Sequence, residues 1–71
     1  MTMTANEFTV TGMTCGHCEM SVRQEVDRIA GVKQIDVSAA TGRLVVTTSE
    51  PVADQAVIDA VDEAGYQAVR A

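Results

Sequence analysis

Apolar residues recur along this chain with two different spacings, and these spacings divide it into six predicted elements. Alternation of apolar and polar residues is typical of strands and is clearest where Phe8 and Val10 alternate with threonines. Apolar residues three or four positions apart are typical of amphipathic helices, and Gly31 and Gly65 follow the two helical stretches. The predicted order is strand 6–11, helix 18–30, strand 32–37, strand 43–48, helix 53–64 and strand 66–70.

This order predicts an α+β fold of the ferredoxin-like kind, a βαββαβ sandwich with two helices on one face of a four-stranded antiparallel sheet. With 71 residues, the chain is expected to form a single domain over 1–71. Neither helix begins with an unambiguous Ser, Thr or Asp cap, so the helix starts are the least defined boundaries. The side chains predicted to face the core are those of Cys18, Val22, Val26, Ile29, Leu44, Val46, Val57, Ile58 and Val61.

The core of such a domain is thin, because the chain has one Phe, one Tyr and no Trp. A domain of this size buries only about 60% of the surface of its unfolded chain, and it is marginally stable without a further constraint. A disulfide between Cys15 and Cys18 would close a very short loop and remove little entropy from the unfolded chain. The cysteine pair is therefore a poor structural constraint, and a functional role is favoured.

Charge and hydropathy exclude two classes of partner. The formal net charge is −5 and there is no basic patch or group of aromatic residues, which excludes nucleic acid. The longest aliphatic run is Leu44-Val45-Val46, far short of the roughly 20 residues that span a bilayer, so no membrane insertion is predicted. The first arginine is Arg23, and the residues before it show neither the basic segment nor the apolar segment of a signal peptide. We therefore expect a cytoplasmic protein, in a reducing compartment where paired cysteines are more often metal-binding or catalytic.

Residues 12–18 read Gly-Met-Thr-Cys-Gly-His-Cys and contain both cysteines. This loop leads into the first predicted helix, whose unpaired N–H groups and positive dipole end favour the thiolate form of cysteine. Cys18 also begins the apolar stripe of that helix, so we expect its sulfur to be the more buried and that of Cys15 the more exposed. Gly12 and Gly16 leave the loop free to bring both sulfurs to one metal ion.

The number of available donors favours Cu(I) over Zn(II). A structural zinc site needs four donors, whereas this loop offers two thiolates and one imidazole. Cu(I) is soft, prefers thiolate and accepts fewer ligands. The corresponding loop of the second strand–helix–strand half, 48–52, has no Cys, His or Met, so one metal site per chain is predicted.

Other side chains near the loop have more than one interpretation. Met13 is expected to fill the core beneath the loop rather than to bind the ion. His17 is a candidate auxiliary ligand, able to complete a third coordination position in a dimer, or it points to solvent in a monomer with one copper ion. Met20 fits either the core or an exposed position. The helix carboxylates are expected to be solvated, and Glu19 is near enough to the site to meet a basic partner.

The chain resembles the heavy-metal-associated domain in three features: the Gly-Met-Thr-Cys-x-x-Cys loop, the six-element order and the run Glu63-Ala64-Gly65-Tyr66. A free-standing domain of this kind resembles a bacterial copper chaperone. The resemblance implies that Cys15 and Cys18 bind Cu(I), and that the ion passes to the metal-binding domain of a copper-transporting P-type ATPase. It places Tyr66 beside the loop as a shield. Thr14 favours copper, because zinc-selective relatives often carry Asp there. The candidates for shielding the site or contacting the partner are Met13, Thr14, Gly16, His17 and Tyr66.

The resemblance leaves alternatives for partner and function. His17 departs from the family pattern, in which many members carry a small or neutral residue at that position. A copper-sensing repressor is a second candidate partner, and the chain is expected to be a monomer without copper, with a copper-bridged dimer as the alternative loaded state. A domain excised from such an ATPase is the alternative, and Met1 and the compact end at Ala71 favour an independent protein.

An enzymatic alternative is a thiol-disulfide oxidoreductase that uses Cys15 and Cys18 as its redox pair. However, 71 residues are short for that fold, no Trp precedes the first cysteine, and the only proline, Pro51, lies in a loop of the wrong order. The sequence therefore predicts a metal-binding protein and not an enzyme.

Overall fold

Four strands and two helices alternate along the chain in the predicted order. The computed structural model describes residues 3–13 and 16–71. The elements are β1 (Thr4–Thr11), α1 (Gly16–Asp27), β2 (Val32–Ser38), β3 (Arg43–Thr48), α2 (Asp54–Glu63) and β4 (Gln67–Arg70). The α+β, βαββαβ order expected from the sequence is confirmed.

The strands form one antiparallel sheet in the order β2-β3-β1-β4. β1 is a central strand, in which Phe8 lies opposite Leu44 of β3 on one side and Arg70 of β4 on the other. Both helices contribute their buried residues to the same core cluster as the inner side chains of the sheet. The result is the predicted sandwich, with two helices on one face of the sheet.

The core consists of small aliphatic side chains packed around a single large aromatic ring. Of the residues predicted to face inward, most are buried, whereas Ile29 and Ile58 are half-buried at its margin. Thr48, at the end of β3, is only 2% exposed and was not predicted in the core. A threonine at this position continues the inward alternation of the strand, because its branched side chain packs like valine. The fully buried apolar side chains are Phe8, Val22, Val26, Leu44, Val46, Val57 and Val61.

The boundaries of α1 differ from the prediction at both ends. The helix begins at Gly16 rather than residue 18 and ends at Asp27 rather than residue 30. After Asp27 the chain tightens, since the N–H groups of residues 28 and 29 bond to carbonyls three residues back, at 3.3 and 3.0 Å. Gly31, with a φ of 92°, therefore ends this turn rather than the helix itself.

The end of α2 matches the prediction and has a defined cause. Gly65 has a φ of 95°, which a residue with a side chain rarely adopts. Its N–H bonds to the Asp62 carbonyl at 2.9 Å, and the N–H of Tyr66 bonds to the Val61 carbonyl at 3.1 Å. This pair of bonds is a Schellman motif, which ends the helix and turns the chain back across its last turn. At the start of α2, the N-cap is Ala53 and no side chain caps the helix.

Neither helix in the described part of the chain has the length or apolar character needed to cross a bilayer.

The antiparallel order brings the C-terminal end of β1, the N-terminal end of α1, the β2–β3 turn at 39–42 and the α2–β4 loop at 64–66 to one end of the sandwich. We call this end of the molecule the loop end.

Candidate metal centre

Two close contacts hold the segments of the loop end together. The N–H of Val10 donates to the carbonyl of Gly42 at 2.7 Å, which joins the end of β1 to the β2–β3 turn. Gly12 lies against Tyr66, because a β-carbon at Gly12 would be only 3.3 Å from Cδ1 of the tyrosine ring. The candidate loop thus begins between two other segments that are themselves fixed to the sheet.

Cys18 lies in the first turn of α1 and is buried, with 8% of its surface exposed. It belongs to the core cluster together with Val22 and Val26, as the apolar stripe predicted. The first turn of a helix presents N–H groups without intrahelical partners, and its dipole favours negative charge. The position therefore suits a thiolate whose side chain is held by the core and whose sulfur lies at the loop end.

Cys15 and Thr14 lie outside the described residues. The expectation that Cys15 is the more exposed sulfur, and the assignment of Thr14 to the site, accordingly stay predictions. The chain on either side is described, with Met13 before them and Gly16 after them. Within residues 3–13 and 16–71, no group of three or more His, Cys, Asp or Glu side chains is placed to hold a metal ion.

Met13 is buried, with 8% of its surface exposed, and it belongs to the core cluster. This confirms the expectation that its side chain fills the core at the loop end. A flexible thioether suits an irregular space of this kind. Met13 thereby anchors the chain between β1 and the candidate loop.

The first two residues of α1, and Met20 one turn on, are exposed to solvent. Gly16 and His17 are both exposed, and the His17 carbonyl accepts a hydrogen bond from Ser21 Oγ at 3.2 Å. Met20 is 57% exposed, which decides between the two interpretations of this residue in favour of the exposed one. The helix therefore presents an imidazole and a thioether on its accessible surface next to the buried Cys18.

Tyr66 is half-buried and packs against the core from the α2–β4 loop. The Schellman motif at Gly65 sets its direction, and its ring contacts the backbone at Gly12. This neighbourhood agrees with the expectation that Tyr66 lies beside the loop. A side chain at Gly12 would both crowd the ring and strain the backbone, whose φ there is 95°.

Glu19 is not the solvated carboxylate that the sequence pattern predicts. It is half-buried, and its Oε2 accepts a hydrogen bond from the backbone N–H of Ala39 at 2.6 Å. The bond joins the first turn of α1 to the β2–β3 turn across 20 residues of sequence. Local spacing could not reveal it, because a carboxylate in the first turn of a helix is already explained by the helix dipole.

Acidic side chains are concentrated on the exposed side of α2. Asp54 forms an ion pair with Arg70 at 3.5 Å, and Asp59 accepts a hydrogen bond from Gln55 at 2.8 Å. Asp62 and Glu63 are exposed in the last turn of α2, where there is no basic residue. The loop end therefore carries negative charge next to Tyr66.

The chain was compared with known protein families, sequences and structures. The model of the heavy-metal-associated domain matches residues 7–67. The copper chaperone CopZ of Enterococcus hirae is 40% identical over 63 residues, which cover 87% of this chain and 91% of that protein. Residues 7–67 include the whole candidate loop and Tyr66.

Solved structures of related proteins have the same fold as this chain. A CopZ metallochaperone superimposes on this chain with a TM-score of 0.87 at 33% sequence identity. The match covers 93% of this chain and 100% of the metallochaperone. A copper-binding domain from HMA7, a P-type ATPase, superimposes with a TM-score of 0.88 at 28% identity, covering 94% and 92% of the two chains. The similarity thus extends over nearly the full length of each protein.

Proposed function

Because this chain belongs to the heavy-metal-associated domain family, we propose that it is a cytoplasmic copper chaperone. It binds one Cu(I) ion through Cys15 and Cys18 and delivers it to the metal-binding domain of a copper-transporting P-type ATPase. The observation that carries the proposal is the burial of Cys18 in the first turn of α1, three positions after the only other cysteine. The similarity to the CopZ copper chaperone of Enterococcus hirae supports the choice of metal.

The chemistry of the donors also supports Cu(I). Two thiolates satisfy a soft, low-coordinate ion, whereas Zn(II) in a structural site takes four ligands. The carboxylate nearest to Cys18 in sequence belongs to Glu19, and it is engaged by the N–H of Ala39. Cu(I) therefore finds the donors it prefers, and Zn(II) would have to complete its shell with solvent or with a second molecule.

Transfer to the partner proceeds by exchange of thiolate ligands. A cysteine thiolate of the partner bonds to the ion and forms a three-coordinate bridge, after which the sulfurs of the chaperone leave one at a time. Each bond to a chaperone sulfur is replaced by a bond to a partner sulfur, and copper stays Cu(I) throughout. The burial of Cys18 supports an order in which Cys15 is released first and Cys18 last.

This order can be tested by trapping chaperone–copper–acceptor complexes with single cysteine variants. Cys15→Ser should still form the bridged complex through the buried sulfur, whereas Cys18→Ser should give a shorter-lived complex. Native mass spectrometry after mixing with the acceptor domain counts the trapped species. Equal trapping by the two variants would contradict an ordered exchange.

The acidic end of α2 supports a partner with a basic docking surface. Asp62 and Glu63 lie beside the loop end, and no basic residue balances them in that turn. Complementary charge chiefly raises the rate of association and fixes the orientation of the partners. It would bring the exposed residues Gly16, His17 and Met20 against the acceptor.

Native mass spectrometry of the reduced chain with Cu(I) and Zn(II) tests the proposed function directly. We expect one Cu(I) per monomer, in preference to zinc. His17→Ala should keep this stoichiometry and change the affinity by less than about tenfold, or about 1.4 kcal/mol, because the side chain is exposed. A copper-bridged dimer that disappears in His17→Ala would instead make His17 a ligand in the dimer. Wild-type protein that ignores Cu(I) and binds Zn(II) with four donors would refute the proposal.

A further inference from the structure

We propose that Glu19 favours Cu(I) over Zn(II) because its hydrogen bond with Ala39 keeps its carboxylate away from the metal. The inference rests on the proposed binding of the ion by Cys15 and Cys18. It assigns a selectivity role to a residue that binds no metal in the loaded protein. The hydrogen bond, and not the carboxylate itself, is the selective element.

Glu19 is well placed to interfere with the site if it is not restrained. It directly follows Cys18, so the two Cα atoms are about 3.8 Å apart. It is the acidic residue of the first turn of α1, at the loop end of the molecule. Helix side chains tilt toward the N-terminus of the helix, so Cys18 and Glu19 both lean toward the loop end, and rotation about the Glu19 side-chain bonds would bring an oxygen donor to that end of α1.

The structure shows what prevents this rotation. Glu19 Oε2 accepts the N–H of Ala39 at 2.6 Å, in a half-buried position. A hydrogen bond to an ionised acceptor is short and strong in comparison with a neutral one. Breaking it would also leave the N–H of Ala39 without a partner in a partly buried place, which is unfavourable. The resting position of the carboxylate is thus stabilised from both sides of the contact.

The two metals respond differently to an added oxygen donor. Zn(II) binds carboxylates readily and prefers four ligands, so a third protein donor would strengthen its binding. Cu(I) is soft and is satisfied by thiolates, so the same carboxylate would add little. Holding Glu19 against the β2–β3 turn therefore weakens the competing metal while leaving the copper site unchanged.

The Ala39→Pro variant removes the N–H donor and releases the carboxylate. The preceding Ser38 is in a strand, as a residue before proline prefers, and Ala39 has no positive φ that would exclude proline. We expect Zn(II) affinity to rise by about tenfold or more, a change of the size that outer-shell contacts produce. Cu(I) affinity should change by less than about threefold, which is below that range. Competition with chromogenic chelators, under reducing and anaerobic conditions, measures both.

The matched control is the double variant Ala39→Pro/Glu19→Gln, which disturbs the turn equally but has no carboxylate to release. Its Zn(II) affinity should equal that of wild type. An equal rise in the single and double variants would overturn the proposal, because the gain would then come from the altered turn. No rise in a folded Ala39→Pro protein would overturn it as well.

The Glu19→Gln variant gives an independent test that leaves the turn intact. Its side-chain carbonyl can still accept the N–H of Ala39. If the carboxylate is withheld in the wild type, Zn(II) affinity stays unchanged in this variant. A fall in Zn(II) affinity would show that Glu19 already binds the ion, and the proposal would be wrong. Failure of the wild type to bind Cu(I) would refute the proposed function instead, whatever the zinc results are.

Discussion

Cys18→Ala is expected to fold as the wild type does and to lose Cu(I) affinity by more than about 100-fold. Loss of an outer-shell partner alone costs about 10–100-fold in metal affinity, and loss of one of two ligands should cost more. Alanine keeps the apolar character of the buried position, so the core around Val22 and Val26 is little disturbed. Competition with a Cu(I) chelator measures the affinity, and circular dichroism measures the fold.

The matched control for Cys18→Ala is Met13→Leu. Met13 is as buried as Cys18 and also has a sulfur atom at the loop end, but we assign it to the core rather than to the ion. Exchange of methionine for leucine conserves volume and is usually tolerated at a cost below about 1.5 kcal/mol. Cu(I) affinity in Met13→Leu should therefore match that of wild type. A loss comparable to that of Cys18→Ala would show that the thioether binds copper.

Phe8→Ala is expected to unfold most of the copper-free protein at 25 °C. Phe8 is the only phenylalanine, it is fully buried, and it lies in a central strand bonded on both sides. Its ring also lies 5.3 Å from the Arg70 guanidinium. Truncation of a buried phenylalanine costs about 3–5 kcal/mol, and the core of so small a domain supplies about the same total. Urea denaturation followed by circular dichroism measures the loss.

Val69→Ala is the control for the effect of truncating an apolar residue in the same sheet. Val69 is 60% exposed in β4, so the free energy of unfolding should change by no more than about 0.5 kcal/mol. A wild-type urea midpoint in Phe8→Ala would contradict the role given to the ring. Cu(I) should restore folded Phe8→Ala, since a ligand at about 1,000 times its Kd contributes about 4.1 kcal/mol to the folded state.

The fold was largely predictable because its signals are local. Periods of two and of three to four residues depend only on which side chains must face the core, and they identified all six elements in order. The ends of the elements were less predictable, as at α1, where a tightened turn separates Asp27 from Gly31. Gly65 was the exception, because a residue with a positive φ is needed where the chain turns back over α2.

The sequence by itself determined the chemistry of the candidate site, since the spacing of Cys15 and Cys18 and the start of a helix are properties of one short segment. Only the tertiary structure decided which segments surround that site. It placed the ring of Tyr66 against Gly12 and the carboxylate of Glu19 against Ala39. Such contacts join residues far apart in the chain, and they depend on how antiparallel strands bring several turns to one end of the sheet, which no local pattern records.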